Sequence, residues 1–307
     1  MELVARDPVP WLLDPGNPSV RVLALKHIFK RGPTELAEDQ QRLLDWKPVA
    51  ALRRHWDSIN FWGRSDNPYF GGPVGNFGTL YLFAQLGVPR RSEIASACEN
   101  LLTRGRHSEG YFAPQDVSAA PWLSFNGIAL QVLTHFGYGD DPGALDAWNV
   151  MLTAFGSAPD HLGCALADRA CRAGAVKALG ALIHRNETQP TDRDAKAIEI
   201  LCDYLLKHDY AWEGEDADWL LPRFPRYYDA DIIELCHVLA HTPARDHPRA
   251  QAILRRMLAL QDSLGRWSKM KTTPALSEER VLQPSRWLTF EAVHSLMLTY
   301  GDNAYAT

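Results

Sequence analysis

Six apolar segments alternate with five amphipathic ones along this chain, and that alternation restricts its fold more than any other feature. The apolar segments are Val20–Phe29, Gly75–Leu86, Leu123–Phe136, Arg169–Ile183, Ala230–His241 and Trp287–Tyr300. Between them lie Glu35–Arg54, Ser92–Arg104, Ala144–Ala154, Arg193–Lys207 and Arg249–Leu260, in which apolar residues recur at helical spacing on one face only. A helix that is apolar all round has to be enclosed, whereas one with a polar face looks outward. Gly127, Ala129, Gly174, Ala175 and Ala178 leave room for close helix approach, and Gly-Pro punctuation at Gly32-Pro33, Gly87-Val88-Pro89 and Thr242-Pro243 falls between segments, where helices end. No segment shows a convincing period-two alternation. The pattern predicts an all-α chain forming one domain over residues 1–307, with apolar helices inside and polar ones outside. A closed ring is the leading arrangement; an open superhelix binding a peptide or protein is the alternative.

The corners between helices carry a second repeat. Gln261, Gly265 and Trp267 close the last amphipathic segment with the spacing Q-x-x-x-G-x-W. A glutamine at a helix end can meet orphan carbonyls, a glycine after it turns the chain at positive φ, and a tryptophan can stack over the corner. Trp56–Trp62 keeps the spacing with Asn60 for the glycine, Arg106–Phe112 keeps Gly110 and ends on an aromatic residue, and weaker echoes fall at Asp160–Cys164 and around Trp212. A unit recurring about every 50 residues is the signature of a repeat architecture.

This corner resembles the QW signature of the squalene-hopene and oxidosqualene cyclases, whose relatives include the β-subunits of protein prenyltransferases. The resemblance implies an (α/α)6 toroid of alternating inner and outer helices, with a substrate in its centre. Full-size triterpene cyclases have two such domains and this chain has length for one, which implies a smaller apolar substrate. Only Gln261–Trp267 matches the signature in full.

Composition sets mainly negative bounds. A net charge of −5, with no long basic stripe, gives no general attraction for nucleic acid. No run of 18 apolar residues predicts a transmembrane segment, and the acidic, proline-containing N-terminus does not read as a signal peptide. Five cysteines, mostly on predicted helices, read as reduced core residues in a cytoplasmic protein. The oligomeric state is not legible.

The candidate chemistry sits at the start of the inner helices. Tyr227-Tyr228-Asp229-Ala230-Asp231 places two carboxylates where the fifth inner helix begins. This stretch resembles the D-x-D-D acid motif of protonating cyclases, with Ile232 in place of the last aspartate, and the resemblance makes Asp231 the proton donor to an alkene and Asp229 its neighbour. Helix capping is the structural alternative for both. An aromatic face attracts a carbocation without capturing it. Trp62, Phe77, Trp122, Phe125, Tyr227, Tyr228 and Trp287, each near an inner-helix start, are therefore the expected substrate wall. The acidic run Glu213–Asp218 reads as a solvated loop. Asp168, Cys171 and His294 depart from the spacing of the prenyltransferase zinc ligands, so neither a metal nor a cofactor is expected, and the remaining histidines read as surface or core residues. The functional expectation is acid-initiated cyclisation of an apolar polyene or similar small molecule. The alternatives are a non-catalytic toroid that binds an apolar ligand or a protein, and a carbohydrate-active enzyme on the same architecture, which needs two carboxylates flanking an open cleft.

Overall fold

A computed structural model describes residues 4–59, 62–114, 122–157, 163–164, 167–188, 191–208, 210, 212–271 and 279–301. The chain is mainly helical, with thirteen α-helices among the described residues. Six correspond to the apolar segments: α2 (Pro18–His27), α5 (Asn76–Gln85), α7 (Leu123–His135), α9 (Arg172–Thr188), α11 (Ile232–Ala240) and α13 (Arg286–Tyr300). The amphipathic segments give α3 (Pro33–Asp45), α4 (Lys47–Ile59), α6 (Ser92–Arg104), α8 (Pro142–Ser157), α10 (Asp192–Lys207) and α12 (Pro248–Leu258), and a short α1 (Val9–Leu12) precedes them all.

Local chemistry fixes where these helices begin. Asn17 caps α2 by accepting from Val20 N–H, Thr191 caps α10 by accepting from Asp194 N–H, and Ser285 caps α13 by accepting from Leu288 N–H. Pro18, Pro33 and Pro248 stand in first turns, where a missing N–H costs nothing. The segment expected as one helix over Glu35–Arg54 is two. Trp46 is extended (ψ 130°), ending α3, and Pro48 sits in the opening turn of α4, where its ring is tolerated. Two antiparallel ladders, Gly163–Cys164 with Ala167–Ala170 and Ser268–Lys269 with Gln283–Pro284, are the strands among the described residues.

The apolar helices pack on one another in the order α5, α7, α9, α11, α13, α2. A Cβ added at Gly127 of α7 would lie 2.6 Å from the carbonyl carbon of Lys177 in α9, so glycine is what permits that approach. Ser19 joins the ends of the series. Its hydroxyl donates to Leu86 O, just past α5, at 2.8 Å and accepts from Trp287 Nε1 of α13 at 2.9 Å. The buried apolar residues of all six helices belong to one hydrophobic core.

The corners repeat in three dimensions as well. Gly265 turns at φ 66°, Gln261 and Trp267 pair across the turn, and the fully buried Trp267 donates its indole N–H to Met257 O, ten residues back, at 2.8 Å. Trp62, equally buried, donates to Leu52 O, also ten residues back, at 2.8 Å. Arg106 pairs with Phe112 around Gly110 at φ 96°. Of the remaining corner residues, Asn60, Phe61 and 160–162 lie outside the described residues.

Candidate functional site: the histidine chamber

The six apolar helices surround a cavity of about 440 Å³, lined mainly from their C-terminal halves, with Arg226, Glu234 and Trp287 reaching it from the starts of α11 and α13. Each inner helix contributes a side chain from its final turns: His27 from α2, Gln85 from α5, His135 from α7, His184 from α9, His237 with His241 at the end of α11, and His294 from α13. Leu23, Val88, Ile183, Val238, Trp287 and Phe290 supply apolar wall. Lys26, Arg31 and Arg90 line the same cavity and are exposed, so they form its mouth, whereas the carboxylates lining it are Glu234 and Glu291.

One turn deeper lies an ionic layer. Lys177 of α9, fully buried, donates to both oxygens of Glu234 at 2.7 and 2.8 Å and to the Tyr81 hydroxyl at 3.2 Å. Arg226, in the loop before α11, is held at its backbone by Gln85 of α5, whose Nε2 donates to Arg226 O and whose Oε1 accepts from Arg226 N, both at 2.9 Å. Its guanidinium reaches Glu291 through Nη1 at 2.6 and 2.8 Å and Asp231 through Nε and Nη2 at 3.0 and 3.1 Å.

Two cations thus serve three carboxyl groups, and the groups divide accordingly. Burial raises the Glu291 carboxyl to about 7, reinforced by the charges of Asp231 and Glu234 and opposed by Arg226. An acid poised there suits proton transfer near neutral pH. Burial alone would raise Asp231 too, but the Arg226 ion pair and backbone N–H groups more than offset it and hold that carboxyl below its ordinary value. Burial pulls Lys177 down against the pull of Glu234. Among the histidines, burial lowers His135 to about 3 and His237 well below the ordinary imidazole value, so both are neutral at physiological pH.

The expected catalytic residues lie elsewhere. Asp231 is a fully buried N-cap of α11 that accepts from Ile233 N, Glu234 N and Arg223 N besides the two Arg226 bonds. A carboxylate receiving five hydrogen bonds is held ionised and has no proton to give. Asp229 is a surface residue paired with Arg223 at 2.9 Å, its side chain 74% exposed. Capping and ion pairing account for the placement of both, the structural alternative expected for them.

The aromatic wall divides likewise. Phe77, Phe125, Tyr227 and Tyr228, with Tyr69, pack into one cluster at the inner-helix starts, with Phe77 stacked on Phe125 at 4.7 Å and Tyr228 on Phe125 at 5.9 Å. Trp122 meets that cluster edge-on at 6.2 Å. Trp62 packs against Trp56 and Phe83 in the core. None of these six lines the chamber; five pack into one aromatic cluster and Trp62 lies in the core. Trp287 does line it, stacked on Phe224 at 4.5 Å.

The histidines treated as scattered are the residues sequence reasoning missed. The Asp168 side chain lies outside the described residues, and among the described ones His294 groups not with Cys171 but with His237 and His241. The ligand-capable atoms of these three all lie within 4.8 Å of one another, against the expectation that no residues here would suit a metal. The available signal was positional: a histidine stands at or near the end of the apolar segment in four of six repeats, His27, His135, His184 and His241, with Gln85 in that slot of a fifth and His294 inside the last segment. No helix among the described residues is long and apolar enough to cross a membrane. Compared with known proteins, the chain matches no family model, no curated protein and no solved structure.

Proposed function

We propose that the chain is a single (α/α)6 toroid whose chamber takes up a small molecule with an apolar body and an anionic head, and acts on it by proton transfer at Glu291. The packing order of the apolar helices, with Ser19 linking its ends, supports the toroid. The observation that carries the functional reading is the polarity of the chamber. Its mouth bears Lys26, Arg31 and Arg90 without an exposed carboxylate among the lining residues, and its wall combines apolar side chains with imidazoles. A cavity of about 440 Å³ falls in the ordinary range for small-molecule sites. Arg31 is partly committed to Glu35 at 2.6 Å, and Arg90 donates to the Tyr138 hydroxyl at 2.9 Å and lies over the Tyr138 ring, which leaves Lys26 as the main anion-facing charge with Arg90 beside it.

Octanoate, octyl phosphate and octanol are suitable probes, measured by isothermal titration against metal-free protein. The two anions are expected to bind about tenfold or more tighter than the alcohol, the equivalent of one charge-assisted hydrogen bond. The double variant Lys26→Ala/Arg90→Ala should remove that preference. Equal binding of octanol and octanoate by the native chain would overturn the reading.

Acid-initiated cyclisation of a polyene is the second reading, favoured by one observation: an expected wall aromatic, Trp287, is among the residues lining the chamber. Its proton would then come from Glu291. Turnover of a polyene lost in Glu291→Gln but kept in folded Asp231→Asn would support it, and the opposite pattern would restore Asp231.

A further inference from the structure

The three imidazoles of His237, His241 and His294 form a nearly equilateral group, with ring centroids 4.7, 5.3 and 5.3 Å apart. His237 and His241 stand four residues apart at the end of α11, the spacing that puts two side chains on one helical face. His294 comes from the neighbouring helix α13.

Hydrogen bonds set the tautomers of His241 and His237. His241 Nδ1 lies 2.8 Å from His237 O, and a carbonyl only accepts, so Nδ1 carries the proton and Nε2 the lone pair. Ser295 Oγ donates to Glu291 O at 2.6 Å, which commits its only hydrogen, so it accepts from His237 Nδ1 at 3.4 Å. His237 Nε2 is then also unprotonated. Metal-binding histidines are held in this way, with one ring nitrogen anchored to a carbonyl or hydroxyl oxygen and the other presented to the ion. The site also sits where the inner helices end, and helix C-termini favour positive charge.

We propose that His237, His241 and His294 bind one divalent first-row metal ion, with zinc a good fit to three imidazole ligands, and leave a coordination position open to the chamber. All three residues line the cavity, so a fourth ligand would be water or a group of the bound molecule. Three protein ligands with an open position is the arrangement of catalytic rather than structural zinc. Arg226 and Lys177 hold Glu291 and Glu234 one turn below, which keeps those carboxylates out of the first coordination sphere.

The test uses the full chain, dialysed against EDTA and titrated with ZnCl2 by calorimetry and with CoCl2 by visible absorption. One ion per chain is expected, with the intense d–d bands of four- or five-coordinate cobalt. His237→Gln and His241→Gln should each weaken binding by more than the roughly 10–100-fold that loss of an outer-shell partner costs, and Ser295→Ala by about tenfold. His135→Gln, in the same chamber but outside the triad, should bind like the native chain. No saturable binding by the native chain would overturn the proposal, and so would native affinity in the His237→Gln/His241→Gln double variant. Should a triad variant melt below the assay temperature, the native stoichiometry, cobalt spectrum and Ser295→Ala affinity decide. Because octanoate binding is measured on metal-free protein, the metal proposal and the anion-binding reading fail separately.

Discussion

Asp231 and Glu291 share one guanidinium, yet only one of them can exchange a proton near neutral pH. The five hydrogen bonds to Asp231 make it a structural anion, and its removal leaves Arg226 under-compensated in the interior. Asp231→Asn keeps the helix cap but loses the charge, so it should destabilise the chain by about 3 kcal/mol, the lower end for breaking a buried pair. Urea unfolding checks this; an unchanged midpoint would mean that the ion pair contributes nothing. Sequence alone showed Asp231 at a helix start but not Arg226 five residues before it folding back onto it, because that contact depends on the loop being held by Gln85 from a distant helix. His135 sets a pH dependence. Its folded value of about 3 lies below the ordinary 6.5, so the unfolded chain binds more protons and the stability present above about pH 6.5 is lost as pH falls toward 3. Between about pH 6.5 and about pH 5 this amounts to about 2 kcal/mol. Glu291 works oppositely, since a raised carboxyl loses its contribution as pH rises through about 7. In metal-free protein, Glu291→Gln should therefore steepen the acid loss and His135→Gln should flatten it, as read by thermal midpoints from pH 5 to 7.

The helices were the most legible part of the chain. Apolar periodicity located all six inner helices because enclosure leaves little freedom in residue type, and it located the outer ones through their single apolar face. The break at Trp46 escaped it, since Leu43, Leu44, Val49 and Leu52 keep an uninterrupted apolar pattern through the bend and only Pro48 marks it. The corner was legible too, and its structure explains why tryptophan recurs there: the ring is fully buried while its N–H donates to a carbonyl of the preceding helix ten residues back. Trp267→Ala should cost about 3–5 kcal/mol, as for a fully buried large aromatic residue. Trp267→Phe keeps most of the packing and removes one of the hydrogen bonds to Met257 O, which still accepts from Leu260 N at 3.0 Å, so it should cost about 0.5–1.5 kcal/mol. Chemical denaturation of the two variants separates packing from hydrogen bonding, and equal losses would show that the indole N–H carries the whole effect.

Across the molecule, the inner helices carry a sequence of layers: an aromatic cluster at their starts, an ionic layer of Lys177, Arg226, Glu234 and Glu291, a histidine chamber and a cationic mouth. Which end of a set of packed helices holds a cavity is a tertiary property. Aspartates and aromatics at one end drew the sequence reading there, while the histidines at the other end are conspicuous only once their positions in the repeats are compared. Locating a bound amphiphile separates the two ends most directly. In a crystal structure of the native chain soaked with octyl phosphate, the phosphate should lie within hydrogen-bonding reach of Lys26 or Arg90, with the alkyl chain among Leu23, Val238 and Phe290. An alkyl chain lodged beside Phe125 and Tyr228, or a phosphate bound at the α11 start, would contradict this account.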